Sequence, residues 1–433
     1  MNKLILYSKL LKYFISLYYW DLASEDKVRR MQLKKFIQIF DHARKRSKFY
    51  REFYGDHGVL DLEIKTYSDV KKVPIITKEI LRNYSTRDIM TCDIGNDINI
   101  HSTSGSTGEP FKIAFNKFED YTSHVRLTKE MIKHGYNPFK KVLLLSRYEI
   151  EDKFEVEEDL STISMLQNKF GLFRRNIISI FKPIKNIISK LKEIKPFVLW
   201  STPSMIQLIA IELKKRNEQI NIPLLVLMSE TISSEQIDLF RRWVCRDCLD
   251  IYGCMESPSI GFSFNQIISK KIISTSAYVE VVNKRGEKNN EVGDIIITNL
   301  LNKTMPFIRY DIGDYVGVLG ERQFPYKKIG SIYGRFDDII HFGNDYTLTY
   351  HQTYQLFRNF HECEQYKFIQ RVSGSIVLQL KVNQTANKEF ILNKAMDRWS
   401  EKYPNYPLTI EWKESFPIDK KTGKFKVIEK EDS

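Results

Sequence analysis

Cysteine is scarce in this chain of 433 residues: there are five, Cys92, Cys245, Cys248, Cys254 and Cys363. So small and odd a number argues against a disulfide framework and fits free thiols in a reducing compartment. Cys245 and Cys248, in "CRDC", have zinc-ligand spacing, and Cys254 could be a third ligand. No histidine between His134 and His341 closes a four-ligand site, so buried free thiols are the expectation. Long hydrophobic runs are also missing. "YFISLYYW" is the longest charge-free apolar run near the N-terminus, short of the roughly 18 residues a spanning helix needs. Lys9 and Lys12 break any signal-peptide core, so a cytoplasmic location is expected. There is no internal repeat and no low-complexity segment.

What is present is globular material with excess positive charge. A hydrophobic fraction of 42% can supply a large core, and this length suggests roughly two to four domains. Lys and Arg number 67 against 54 Asp and Glu, a net charge of +13, which favours anionic partners such as nucleotides, coenzyme A and membrane headgroups. The basic residues are spread, with a mild cluster over 174–195, so nucleic acid is not an expected partner. Leu, Ile, Phe and Tyr recur at helical spacing among Lys and Arg from Met1 to Tyr54. The basic, aromatic start of that segment suits either packing on the protein's own core or peripheral contact with a membrane surface.

Residues 142–145, 197–200 and 224–228 read as buried strands. The helical patterns "PSMIQLIAIELKKRN" and "SSEQIDLFRRWV" follow the second and third, with Ser233 or Ser234 as cap. Strands alternating with helices predict a doubly wound α/β sheet. From Tyr278 the short strands "YVEVVN", "GDIIITNL" and "YVGVLG" predict a β-rich subdomain, and the chain beyond "YGRFDDIIHFGN" reads as a small α+β unit.

One stretch stands apart. "INIHSTSGSTGEPFKI", residues 98–113, sets Ser, Thr and Gly between two segments of strand-like alternation. Glycine lets the backbone approach a ligand, and successive amides with hydroxyls can wrap phosphate oxygens; the plain alternative is a polar hairpin. The segment is not a kinase-type phosphate loop, because Gly105-Ser106-Thr107-Gly108-Glu109 lacks the required Gly-Lys-hydroxyl order.

Taken with four downstream segments, this loop resembles that of the adenylate-forming superfamily. Thr103 to Pro110 matches a Ser/Thr/Gly-rich pattern ending T-G-x-P. "DIYGCMES" resembles the family's Y-G-x-T-E: Tyr252, Gly253 and Glu256 match, while Met255 replaces a hydroxyl residue and leaves one donor missing. "FIRYDIGDYV" resembles the segment whose last aspartate, here Asp314, accepts hydrogen bonds from both ribose hydroxyls. "YGRFDDIIHFGN" resembles the interdomain linker, with a nucleotide-contacting Arg335 and a hinge at Asp337 and Asp338. "PIDKKTGKFKV" resembles the loop that carries an active-site lysine, here Lys424. The opening "RKRSKFYREFY" and "LWSTPSMIQLIA" resemble the phenylacetate:coenzyme A ligase-like branch, which includes coenzyme F390 synthetase-like and capsule-biosynthesis-associated members.

The resemblance implies a large domain over 1–334 and a small mobile α+β domain over 335–433. It implies ATP, Mg2+ and coenzyme A as cofactors, a small-molecule carboxylate as substrate, and acyl-AMP as intermediate. Lys424, Glu256 and Thr107 would be catalytic, with Glu256 holding magnesium. Ser104, Gly105, Ser106, Thr107, Gly108, Tyr252, Gly253, Asp314 and Arg335 would hold the nucleotide. Two alternatives stay open: transfer to a carrier-protein thiol or an amine in polysaccharide or secondary-metabolite biosynthesis, and a weakly active pathway scaffold.

Overall fold

The computed structural model describes residues 3–95, 97–102, 111–146, 155–157, 175–283, 292–319, 325–335, 339–342, 346–349, 352–353, 356, 362–416 and 425–431. Three helices open the chain: α1 (Lys3–Leu22), α2 (Glu25–Arg46) and α3 (Lys48–Asp56). Phe36, Ile39, Phe40 and Ala43 recur three and four apart, so α2 buries one face. Ser47 starts α3 by accepting from the Tyr50 amide. The short helices α4 (Tyr67–Val70), α5 (Lys78–Arg82) and α6 (Thr86–Ile89) follow. The strands β1 (Ile98–Ser102) and β2 (Lys112–Asn116) pair antiparallel on either side of the hydroxyl-rich stretch. α7 (Lys117–Lys133) begins at a capping box of Asn116 and Glu119.

The strand–helix alternation read from the sequence is realised as β3 (Val142–Ser146), β4 (Glu155–Glu157), β5 (Arg175–Ser179), α8 (Ile184–Ile194), β6 (Val198–Ser201), α9 (Pro203–Lys215), β7 (Ile222–Met228), α10 (Ser234–Trp243) and β8 (Cys245–Cys254). Ser233 is the cap of α10, bonded reciprocally with Gln236. β9 (Ser257–Phe264), β10 (Lys270–Ile272) and β14 (Lys328–Ile329) complete a sheet ordered β14-β10-β9-β8-β7-β6-β3-β5-β4. Its middle is parallel from β5 through β8 and its edges are antiparallel. Both faces are covered because alternate residues point to opposite sides. Leu143, Leu199 and Leu225 meet α8, α9 and α10, while Val142, Val198 and Val226 meet α7. Each such burial contributes about 1.5–3 kcal/mol.

The β-rich segment is a second, antiparallel sheet of β11 (Ala277–Val282), β12 (Val292–Asn299), β13 (Tyr310–Gly317) and β15 (Ile332–Arg335). Its core is shared with the first helices: Phe36, Phe40 and Tyr50 join Tyr278, Ile295 and Ile297. The C-terminal segments β16 (Ile340–Phe342), β17 (Tyr346–Leu348), β18 (Cys363–Gln370), β19 (Ile376–Val382), α11 (Lys388–Lys402), β20 (Leu408–Trp412) and β21 (Ile428–Lys430) enclose a separate core around Phe368, Trp399 and Tyr403.

Candidate active site

β8 turns directly into β9 at Met255 and Glu256, beside the register shift between Tyr252 and Cys254. The turn is close enough to require glycine at 253, because a Cβ there would meet the Pro258 carbonyl oxygen at 2.5 Å. The turn buries Glu256, which is 5% exposed. Asn299 Nδ2 donates to the Glu256 carbonyl at 2.9 Å, and the Tyr310 hydroxyl donates to Glu256 Oε1 at 3.0 Å. Burial and the neighbouring carboxylate push the Tyr310 phenol far above its usual range, so it stays a donor. Met255 sits half-buried against the core that includes Tyr252, Ile260 and Tyr310.

The facing strand reaches back. β13 pairs with β12 so that Asp294 and Ile296 oppose Tyr315 and Asp311, which leaves Ile312, Gly313 and Asp314 bulged out of that ladder. Gly313 adopts a φ of 81°, and its amide donates to Asp311 Oδ1 at 2.9 Å. The bulge hands Asp314 to the other neighbour, where it lies opposite Arg335 of β15. The Tyr252 hydroxyl donates to Asp314 Oδ2 at 2.7 Å, joining positions 62 apart in sequence. Tyr252 is held protonated by burial and then by the Asp314 charge.

A further cation belongs to this group. Ile76 brackets the start of β13 with two hydrogen bonds, Ile76 N to Arg309 O at 3.0 Å and Asp311 N to Ile76 O at 2.9 Å, which pin the start of α5 beside the site. Lys78 then lies in the field of Glu256, Arg335 and Arg82, with burial lowering its pKa. Its ammonium sits 5.8 Å over the Phe111 ring, at the edge of the hydroxyl-rich stretch. Arg309 braces the arrangement through a buried pair with Glu280 at 2.9 Å and a bond to the Lys71 carbonyl at 2.9 Å.

No family model matches the chain. It is 22% identical to phenylacetate–coenzyme A ligase of Pseudomonas putida over 335 residues, 74% of this chain and 73% of that protein. It is 23% identical to Protein CapK of Staphylococcus aureus over 396 residues, 84% and 80% of the two chains. Among solved structures, 2-hydroxyisobutyryl-CoA ligase in the postadenylation state, in complex with R3-HIB-AMP, superposes with a TM-score of 0.70 at 16% identity, covering 88% of this chain and 85% of that one. An open conformation of the same ligase covers 93% and 91% at a TM-score of 0.58. The chain is thus similar in sequence to phenylacetate–coenzyme A ligase and Protein CapK, and in fold to 2-hydroxyisobutyryl-CoA ligase.

In this chain Tyr252, Gly253, Glu256, Asp314 and Arg335 come together where the β8–β9 turn meets β13 and β15. Ser104, Gly105, Ser106, Thr107, Gly108, Asp337, Asp338 and Lys424 lie outside the described residues. Sequence reasoning missed Lys78 and Tyr310. Lys78 did leave a signal: it opens α5 right after the cap Thr77, and a lysine in the first turn opposes the helix dipole. Cys245 and Cys248, weighed as zinc ligands, are buried free thiols with their sulfurs 3.5 Å apart. The aromatics beside "GFSFNQ" divide. Phe264 stacks on His134 at 3.7 Å, whereas Phe262 lines a cavity away from this site.

Proposed function

We propose that the protein activates a carboxylic acid with ATP, giving acyl-AMP and pyrophosphate, and then transfers the acyl group to coenzyme A. The reading is supported chiefly by the Tyr252–Asp314 hydrogen bond with Arg335 opposite, which gathers three separated motif positions on one wall. The substrate carboxylate attacks the α-phosphate, so the protein's part is positioning and neutralisation of charge. Asp314 accepts from the ribose hydroxyls, as a carboxylate can. Arg335 and Lys78 supply positive charge on that wall. Glu256 offers a hard oxygen donor, which fits Mg2+; that ion commonly takes one or two carboxylates and fills its shell with phosphate and water. When bound it would neutralise phosphate charge. Ser104, Gly105, Ser106, Thr107 and Gly108 would hold the β- and γ-phosphates, with Thr107 among the catalytic groups, and Lys424 would stabilise the reacting oxygens.

The same reading makes residues 335–433 a small domain that rotates about Asp337 or Asp338 between the two half-reactions. Proline at the true pivot should leave one half-reaction and stop the other. Thioester formation by both proline variants at the wild-type rate would contradict this. Coenzyme A is tested as acceptor by thioester formation with free coenzyme A; acyl-AMP that accumulates untransferred would favour the carrier-protein or amine acceptor. Exchange of pyrophosphate into ATP only when a suitable carboxylate is present tests the reaction as a whole, and absence of exchange would favour the scaffold reading.

The proposal includes action in the cytoplasm with peripheral membrane contact through α1. Leu4, Leu11, Ile15, Tyr18 and Leu22 are exposed at one helical spacing, alongside Lys9 and Lys12. No helix among the described residues is long and apolar enough to cross a membrane. Sedimentation with anionic but not neutral vesicles is expected, and lost on Leu11→Lys with Ile15→Lys. Equal recovery of wild type and variant in the supernatant would contradict it.

A further inference from the structure

A cavity of about 230 Å³ lies between the inner face of α1, α7 and the β9–β10 edge of the large sheet. It shares no lining residue with the candidate active site, and its charge is unbalanced. Arg126, Lys129, Lys271, Lys327 and Lys328 line it against only Asp21 and Glu130. Both acids are already engaged: Lys129 and Lys133 bind Asp21, and Lys133 binds Glu130 at 3.1 Å. Lys327 pairs with Glu25 at 2.5 Å.

The remaining cations have no carboxylate among the described residues. Arg126 is 4% exposed, and among the described residues its guanidinium reaches only the Tyr13 hydroxyl, at 3.0 Å, while its Nε has no hydrogen-bond partner. The Thr275 hydroxyl, on the same wall, is buried and likewise without a partner. Behind that wall Lys35 donates to the Thr275 carbonyl at 2.9 Å. Burial, then the charges of Arg126 and Lys303, bring Lys35 down to about 8. A buried guanidinium with one neutral partner, backed by a second cation, lacks a counter-charge. Its planar fork matches a carboxylate or a phosphate. The other walls are Leu17, Trp20, Phe262 and Ile272, which suit a hydrocarbon body.

We propose that this cavity binds a small organic anion: one carboxylate or phosphate head at Arg126, with an apolar body against Trp20 and Phe262. The site lies apart from the proposed ligase chemistry and does not depend on it. Lys271 and Lys328, both exposed, draw the anion in.

The test is calorimetric titration of the full chain with octyl phosphate and octanoate, with octanol as the neutral body. Octyl phosphate has no carboxylate to activate, so its binding is independent of the proposed reaction. Saturable one-to-one binding of both anions is expected, with octanol at least about tenfold weaker, as loss of a charged hydrogen bond implies. Arg126→Gln should weaken octyl phosphate by about tenfold or more. The Lys271→Gln, Lys328→Gln double variant, whose exposed positions leave the fold intact, should weaken it about threefold. Saturating AMP should leave binding unchanged. Four results would overturn the proposal: no saturable binding, octanol binding as tightly as octyl phosphate, displacement by AMP, or wild-type affinity in the double variant.

Discussion

Two tyrosine–carboxylate contacts cross between the β8–β9 turn and β13, each strand lending its tyrosine to the other side's acid, and they are built differently. Tyr310 serves Glu256 in a closed environment, where the acid is 5% exposed and its carbonyl is also held. Tyr252 serves Asp314 on a bulge that leaves the acid half-exposed beside Arg335. The first contact fixes a carboxylate in place. The second holds one where a ligand can replace the tyrosine as donor. The difference separates a fixed, buried carboxylate from a half-exposed one, although both are a phenol bonded to an acid.

The frame supporting both contacts can be broken most severely at Arg309. Arg309→Ala strands Glu280 as a buried charge and should destabilise the fold by about 3–5 kcal/mol, read as a lower denaturant midpoint at unchanged slope. A loss below about 1 kcal/mol would mean that the pair does not brace β13.

The closed contact comes next. Tyr310→Phe removes a donor from buried Glu256 and should cost about 1–3 kcal/mol of stability. The open contact should respond less: Tyr252→Phe leaves Asp314 to water, at about 1 kcal/mol or below, with its larger effect on nucleotide affinity. Equal stability losses for the two variants would erase the distinction drawn between them.

The smallest effect is in pH dependence, at the hairpin flanking the hydroxyl-rich stretch. Asp120, 3.2 Å from His101 Nε2, raises that histidine's pKa by hydrogen bond and charge against the opposing effect of burial. A folded pKa above the unfolded value of about 6.5 means stability present below that pH and lost as pH rises through the folded pKa. The half-exposed ring keeps the effect small. Thermal midpoints should fall slightly between about pH 6 and 8, and His101→Gln should flatten that slope. An unchanged slope would remove His101 from the account.

The central sheet was legible because fully buried parallel strands are continuous apolar runs, as in Leu224 to Met228, and because Ser233 with Gln236 is a local signal. The motif residues were legible through resemblance, but their convergence was not. Asp314 reaches Tyr252 through a bulge at Gly313, and Lys78 joins them through bonds between Ile76 and β13 across more than two hundred positions. The sharing of one core by α2, α3 and the second sheet was equally hidden, since each alone shows only an apolar face. The cation-lined cavity draws Arg126, Lys271 and Lys328 from separate elements, and no local pattern marks them as neighbours.

The decisive measurement is exchange of labelled pyrophosphate into ATP over a panel of carboxylates, with wild type, Asp314→Ala and Lys424→Ala all shown to be folded. Carboxylate-dependent exchange is expected in the wild type. Lys424→Ala should lose roughly 3 to 4 kcal/mol in transition-state stabilisation, about a hundredfold or more in rate, and the loss in Asp314→Ala should appear mainly as weaker nucleotide binding. Wild-type exchange in both variants, or none in the wild type with any carboxylate while ATP still binds, would contradict the proposed activation.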